Sequence, residues 1–359
     1  MPGLQVIVLS DEVNTSYGSH PARELEKLKA AGIPCLITPT DQLRDSTPFY
    51  SAVWRTFLQW FGQTGKGWIP NPMANTAPPM TLRSYLELFN VKANHRKAVI
   101  TENTAIVMSA NAHDASFYNS NIGFEVKGSA LIEDSLTAEQ AVSDLAGGPK
   151  LPEYKSDGRE SGDTGVQLLT EGKIYSHLLD TIKASKPGDT IWMGMFYLAD
   201  RSVIRELLQA AERGVKINLI LDPNQNAFGQ DKIGIPNRPV ARELMEKSNG
   251  RIEIRWYNTL KEQYHTKLLM VTNATQSVIL GGSANFTPRN LDDLNLENNL
   301  LVTAPSGSRV AQETGAYFRR LWSNDGAQYT LDYPAYEDKM VPVKRVLYRL
   351  QGLLGFTTF

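Results

Sequence analysis

Four side chains define the chemistry this sequence could perform: His95 and Lys97 in the first half of the chain, His265 and Lys267 in the second. In extended backbone, residues i and i+2 point to one face, so each histidine projects together with its lysine. Two such strands meeting about a pseudo-twofold axis would gather two imidazoles and two ammonium groups around one cavity. That cavity suits a phosphodiester. The diester is a monoanion that gains negative charge on its non-bridging oxygens as a nucleophile adds, and fixed cations and amide donors lower the barrier. Lys97, Lys267, Asn111 and Asn285 are the expected donors to phosphate, with Ser109 and Ser283 as further donors. One imidazole can attack phosphorus while the other protonates the departing alkoxide, a poor leaving group by itself. Each ring then needs its second nitrogen held, and Glu125 and Glu297 are the expected orienters. No acidic cluster stands at ligand spacing, so neither a metal nor a cofactor is expected.

These residues occupy matching places in an internal repeat. Ala-Arg-Glu-Leu occurs at Ala22 to Leu25 and again at Ala241 to Leu244, each time between two apolar strands. The first pair of strands is Val6 to Leu9 and Pro34 to Thr38; the second is Ile217 to Leu221 and Ile252 to Trp256. Further on, His95-Arg96-Lys97 answers His265-Thr266-Lys267, Ser109-Ala110-Asn111 answers Ser283-Ala284-Asn285, and Glu125 is matched with Glu297. The halves are unequal. The strand Thr190 to Tyr197 and the helix from about Arg201 to Arg213 have no counterpart before Val6, so the first copy reads as N-terminally shortened. From Leu25 to His95 is 70 positions, whereas from Leu244 to His265 is only 21, so the first copy also carries an insertion at about 45–80.

The expected organisation is a first repeat over 1–146, an exposed and mobile linker rich in Gly, Pro and charge over 147–165, a second repeat over 166–331 and an amphipathic tail over 332–359. The architecture is α/β, two related lobes of mixed sheet flanked by helices and packed about a pseudo-twofold axis with one shared site.

The paired motifs resemble the phospholipase D superfamily, whose mark is His-x-Lys-x4-Asp in each of two halves followed by a Gly-Ser-x-Asn turn. Here they read His95-Arg96-Lys97-x4-Glu102 with Met108-Ser109-Ala110-Asn111, and His265-Thr266-Lys267-x4-Thr272 with Gly282-Ser283-Ala284-Asn285. The sequence departs from the pattern at Glu102, Thr272 and Met108. The resemblance implies two phospholipase D-like repeats forming an internal pseudo-dimer within a monomer, and a covalent phosphohistidine, with His95 the nucleophile and His265 the general acid and then base. It is strongest to the bacterial cardiolipin synthase branch. That implies transfer of a phosphatidyl group from one phosphatidylglycerol to the hydroxyl of a second, or phospholipase D hydrolysis where water is the acceptor. The rivals are a nuclease of the same superfamily and a silent protein that binds lipid head groups.

Composition narrows the field. Hydrophobic residues make up 42% and charged residues 21%, which excludes disordered, collagenous and coiled-coil chains. With 37 basic and 38 acidic residues the net charge of −1 supplies no bulk field for a polyanion, which weighs against nucleic acid. The single cysteine, Cys35, allows no internal disulfide. No apolar run is long enough to span a bilayer, and the start lacks the basic region of a signal peptide. His20, His113 and His177 have no partner at ligand or triad spacing, although His113 follows Asn111 closely enough to border the cavity. Gly281-Gly282 reads as the turn before Ser283 rather than a phosphate loop.

Lipid is favoured by the insertion. Phe49, Tyr50, Trp54, Phe57, Trp60, Phe61 and Trp68 put seven aromatics into 20 residues just upstream of the His95 strand, placed to wall or cap the cavity. Trp54, Phe57, Trp60 and Phe61 are the expected lipid-facing residues, since tryptophan favours membrane interfaces, and the alternative is that this aromatic stripe packs against the core. In the tail, Val343, Val346, Leu347, Leu350, Leu353 and Leu354 form an amphipathic stripe near Lys344, Arg345 and Arg349, expected to dock on the protein or lie on a membrane surface. The expected location is peripheral on a membrane, on either face, or cytoplasmic.

Overall fold

Both Ala-Arg-Glu-Leu sequences lie on helices that connect parallel strands, because each is flanked by short apolar runs with turn residues beyond them. The computed structural model describes residues 5–61, 66–72, 77–158, 161–227, 230–337 and 341–354. In the first copy β1 (Val8–Asp11) leads through α1 (Arg23–Ala30) to β2 (Cys35–Thr38), which pairs parallel with β1. The insertion follows, with α2 (Pro48–Val53) and α3 (Leu82–Glu87). Then come the antiparallel strands β3 (Ala98–Ile100), β4 (Ala105–Met108) and β5 (Gly123–Val126), with short α4 (Asp114–Tyr118) between the last two and long α5 (Ser129–Leu145) after them.

The second copy begins with β6 (Gly165–Thr170), α6 (Gly172–Lys183), β7 (Thr190–Met195), α7 (Arg201–Glu212) and β8 (Lys216–Leu221). A small hairpin, β9 (Asn226–Ala227) and β10 (Gln230–Asp231), precedes α8 (Asn237–Lys247) and β11 (Ile252–Tyr257). The antiparallel strands β12 (Lys267–Thr272), β13 (Gln276–Gly282) and β14 (Asn298–Pro305) follow, with α9 (Pro288–Leu291) between the last two. The chain then runs through α10 (Arg309–Ser323), β15 (Thr330–Asp332) and α11 (Val341–Leu354).

One eight-stranded sheet organises the second copy, in the order β15-β11-β8-β7-β12-β13-β14-β6. Within it β7 joins the parallel strands β8 and β11 to the antiparallel strands β12 to β14. Among the described residues no strand plays that part between β1 and β3, so the first copy holds a two-stranded and a three-stranded sheet.

The large sheet is buried on both faces. On one, Ile174, Leu178 and Ile182 of α6 and Val203, Ile204 and Leu207 of α7 pack on Ile191, Met193, Ile217 and Leu219. On the other, Leu268, Ile279 and Leu300 meet Ala105 and Val107 of β4, Leu131 and Ile132 of α5 and Phe318 of α10. Each fully buried aliphatic side chain contributes about 1.5–3 kcal/mol. The two copies therefore share a core, which fixes their orientation far more firmly than the connecting segment could. Among its described residues that segment has no regular structure and most are exposed, yet it is pinned to α5: Leu151 N–H donates to Gln140 at 2.6 Å and Ser156 N–H to Glu133 at 3.2 Å.

Three expectations need correction. Gly281 and Gly282 are the last residues of β13, not a turn. A Cβ on Gly281 would stand 2.9 Å from the Phe124 ring and 3.1 Å from the Lys267 carbonyl, and one on Gly282 would stand 2.7 Å from Asn299 Cα. Gly281 lets Phe124 of the first copy approach this sheet, and Gly282 lets β14 lie close beside β13. Trp54 is buried at 8% exposure, with Arg83 stacked 5.9 Å from its ring, because the backbone widens into a π-helical turn over Trp54–Leu58 and directs it inward. Phe57, Trp60 and Phe61 do lie in solvent, at 65%, 73% and 72% exposure. The tail docks, but by the face opposite its apolar stripe. Tyr348 Oη donates to the Ala199 carbonyl at 2.9 Å, and Arg345 and Arg349 pair with Glu246 and Glu243 of α8, while Val343, Val346, Leu347 and Leu350 face outward. The side chains of Leu353 and Leu354 lie outside the described residues. No described helix is long and apolar enough to cross a membrane.

Substituting Gly281→Ala forces the Phe124 ring and the Lys267 backbone apart. It is expected to cost about 1–3 kcal/mol in a urea unfolding titration; an unchanged midpoint would show that the close approach carries no energy.

Candidate active site

His95 and His265 do not sit within strands; each lies just ahead of one, three positions before β3 begins and two before β12 begins. The reason is that their backbone neighbours pair across the repeat instead of along a ladder. Leu296 N–H donates to the Ala93 carbonyl at 3.0 Å and His95 N–H to the Leu296 carbonyl at 2.9 Å. The equivalent contact at the other histidine is Ser120 N–H to the Gln263 carbonyl, 2.9 Å.

The side chains cross in the same way. His95 Nδ1 lies 2.9 Å from both carboxylate oxygens of Glu297, in the second copy. His265 Nδ1 lies 3.1 Å from Asn121 Oδ1, in the first. A carboxylate only accepts, so His95 carries its proton on Nδ1. Asn121 uses its Nδ2 on the Ser116 carbonyl at 2.8 Å and the Asn119 carbonyl at 3.1 Å, which turns its oxygen to His265 and puts that proton on Nδ1 too. Both rings therefore keep Nε2 free as a base or nucleophile.

Asn121, not Glu125, is the counterpart of Glu297. Ser109 Oγ donates to Asn121 Oδ1 at 3.1 Å and accepts from Ile122 N–H at 2.9 Å; Ser283 Oγ donates to Glu297 and accepts from Asn298 N–H at 2.9 Å. Glu125 is exposed on β5 and lies 3.6 Å from Lys127. The sequence match failed because the segment from Ser109 to Asn121 is two residues shorter than that from Ser283 to Glu297. Ser109 and Ser283, expected to bind phosphate, are fully buried and committed to the residues that hold the rings. Asn111 is half-buried, its backbone N–H on Ser116 Oγ at 2.9 Å. Asn285 is buried at 7% exposure with an Oδ1 that has no hydrogen-bond partner, an orphaned polar atom where a ligand is expected. Glu102 is exposed, and Thr272 bonds Ser277 Oγ at 2.7 Å, so the motif's acidic position stands away from the rings.

The lysines fold back on their own motifs, Lys97 Nζ to the His95 carbonyl at 2.6 Å and Lys267 Nζ to the His265 carbonyl at 2.9 Å. Phe196, not among the residues expected at the site, lies against the second motif: its ring centroid is 5.1 Å from that of His265 and 5.0 Å from Lys267 Nζ. Burial pushes Lys97 down to about 8 and Lys267 well below its ordinary value. Burial also depresses both histidines, His265 the more, and Lys267, Lys97 and His95 add to the depression of His265 by repulsion. The charges of one motif are thus felt at the other across the repeat. Burial pushes Glu297 upward, but His95, Lys97 and Ser283 more than offset it and keep the carboxylate ionised. His113 also feels Lys97 and lines, with Ala112, Asp114, Phe117 and Tyr118, an open cavity of about 450 Å³ beside Asn111.

The insertion reaches the histidine segment through Lys92, whose Nζ pairs with Asp45 at 2.7 Å, and not through its exposed aromatics. Among the described residues no group of three or more His, Cys, Asp or Glu could hold a metal ion.

Residues 178–322 match the family described as "Cardiolipin synthase, PLD-like domain", a span that contains His265, Lys267, Asn285 and Glu297. Among solved structures, phosphatidylserine synthase of Haemophilus influenzae Rd KW20 is similar over 99% of this chain and 89% of its own, with a TM-score of 0.59 and 14% identity. Nuc, a phospholipase D family member of Salmonella typhimurium, is similar over 47% of this chain and 98% of its own, with a TM-score of 0.35 and 19% identity. No protein of curated function matches in sequence.

Glu297→Gln removes the charge that holds His95 up. The His95 pKa is expected to fall further while that of His265, held by Asn121, moves less, as read by histidine ¹⁵N shifts across pH; equal movement of both would show that the crossed pairs do not act separately.

Proposed function

We propose that this chain, a member of the phospholipase D superfamily, cleaves the phosphodiester of a glycerophospholipid and passes the phosphatidyl group to an alcohol. The observation that carries this reading is the crossed hold on two imidazoles, His95 by Glu297 and His265 by Asn121, beside two buried lysines. His95 Nε2 forms a bond to phosphorus as the bond from phosphorus to the leaving alcohol's oxygen breaks. The positive charge that develops on the His95 ring is met by Glu297, which favours His95 over His265 as the nucleophile. His265 Nε2 gives a proton to that oxygen. His265 is depressed by burial and further by Lys267 and Lys97, and the diester's own charge offsets those cations, so its proton arrives with the substrate. An acceptor hydroxyl then yields its proton to His265 and attacks phosphorus, breaking the bond to His95. Lys97, Lys267, Asn111 and Asn285 bind the non-bridging oxygens.

Lipid as the substrate is supported by the family of the matched span, the absence of a bulk positive field and the exposed Phe57, Trp60 and Phe61, which suit a peripheral position at a membrane. Phosphatidylglycerol is the donor and acceptor to try first.

Purified protein mixed with phosphatidylglycerol vesicles is expected to release glycerol and form the dimeric lipid, and His95→Ala or His265→Ala to lower turnover by roughly three orders of magnitude. Cleavage of DNA without lipid turnover would select a nuclease instead; vesicle binding without product, a silent binding protein.

A further inference from the structure

Each segment that carries a histidine starts beside a buried carboxylate. Asp222 directly follows β8, and its Oδ2 accepts the N–H of Tyr264, the residue before His265, at 2.7 Å; its Oδ1 accepts the Asn224 N–H at 2.6 Å and Asn224 Nδ2 at 3.3 Å. Asp11 closes β1, and its Oδ2 accepts the N–H of Asn94, the residue before His95, at 2.8 Å; its Oδ1 accepts the Val13 N–H at 3.2 Å and Asn14 Nδ2 at 3.5 Å. Because β1 and β8 hold the same place in the repeat, one device occurs twice. It is also legible in hindsight: Ile217 to Leu221 is followed directly by Asp222, and Val6 to Leu9 by Asp11 after a single serine, Ser10.

A backbone tether alone does not call for a charge. Asp11 and Asp222 are 5% and 1% exposed, and neither has an ion-pair partner within bonding distance among the described residues. Burial pushes Asp11 up to about 6 and Asp222 up to about 7, a cost that a neutral side chain would avoid. At longer range Glu297 holds the pKa of both lysines up against burial, and each aspartate adds to it on the lysine of its own motif, Asp11 on Lys97 and Asp222 on Lys267; Asp11 also faces Tyr17 and Asp222 faces Tyr197.

We propose that Asp11 and Asp222 are a matched pair of positioning residues. Each fixes, through the N–H of the residue before it, where its histidine stands, and each lends a buried negative charge that keeps the lysine two positions beyond that histidine protonated until phosphate arrives. Their functional meaning rests on the diesterase reading above. An amide in this place preserves the shape, removes the charge and turns an N–H₂ toward a backbone donor.

The decisive experiment needs no lipid. The full chain is labelled with ¹³C at lysine Cε, the two signals are assigned with Lys97→Arg and Lys267→Arg, and shifts are followed with pH. In Asp11→Asn the Lys97 pKa is expected to fall with Lys267 nearly unmoved; in Asp222→Asn Lys267 falls with Lys97 nearly unmoved. Equal shifts of both lysines, or none, overturn the proposal. Should neither amide variant fold, the wild-type protein decides: the Asp222 carboxyl signal must inflect together with Lys267, and independent titration overturns it. In phosphatidylglycerol turnover each variant is expected to lose roughly tenfold to 100-fold in kcat with little change in KM. A wild-type protein that turns over no lipid would defeat the diesterase reading while leaving the lysine result standing.

Discussion

Each copy of the repeat completes the site of the other. His95 is oriented by Glu297 and His265 by Asn121, so neither imidazole has its working tautomer without the opposite half of the chain. The constraint reaches into the backbone, where Leu296 and Ser120 bond the segments ahead of the two histidines. It also explains the shared core. Two copies joined only by an irregular segment could drift, whereas a packed layer of Val107, Leu131, Leu268 and Leu300 holds the rings in a fixed relation.

Within that frame the site is poised by charge. Both lysines and His265 are buried and His95 is half-buried, and the lysines lower the proton affinity of the histidines. On the proposed function, a phosphodiester bound between them relieves this repulsion and couples binding to protonation. Glu297 breaks the symmetry. With a carboxylate on one ring and an amide on the other, pseudo-equivalent histidines acquire different electrostatics, and one repeated motif can serve two roles.

The surface is less symmetric still. The insertion belongs to the first copy alone and anchors itself by Lys92, Asp45 and buried Trp54, leaving Phe57, Trp60 and Phe61 in solvent. The tail likewise spends its arginines and Tyr348 on α8 and Ala199 and leaves its aliphatic stripe outward. In both places polar and aromatic anchors hold the element while apolar side chains remain uncovered.

The pair of His-x-Lys motifs, the Ser-x-Asn segments, the helix between parallel strands in each copy and the class of fold were all legible in the amino-acid sequence, because residue type and spacing carry them. Periodicity also placed the aromatic stretch. What the sequence could not specify was which residues meet. Asn121 escaped because its role depends on standing beside a histidine 144 positions away, and a shorter connecting segment shifted it out of register with Glu297. Ser109 and Ser283 were assigned to phosphate from their chemistry, but burial turned both toward the residues behind the rings. Trp54 was placed on the wrong side because a single widened turn changes which way a helical stripe faces. Asp11 and Asp222 looked like ordinary strand ends until folding brought a backbone N–H to each. Local pattern follows from covalent order, while partners across the repeat are set by packing, and only the folded chain brings them within hydrogen-bond distance.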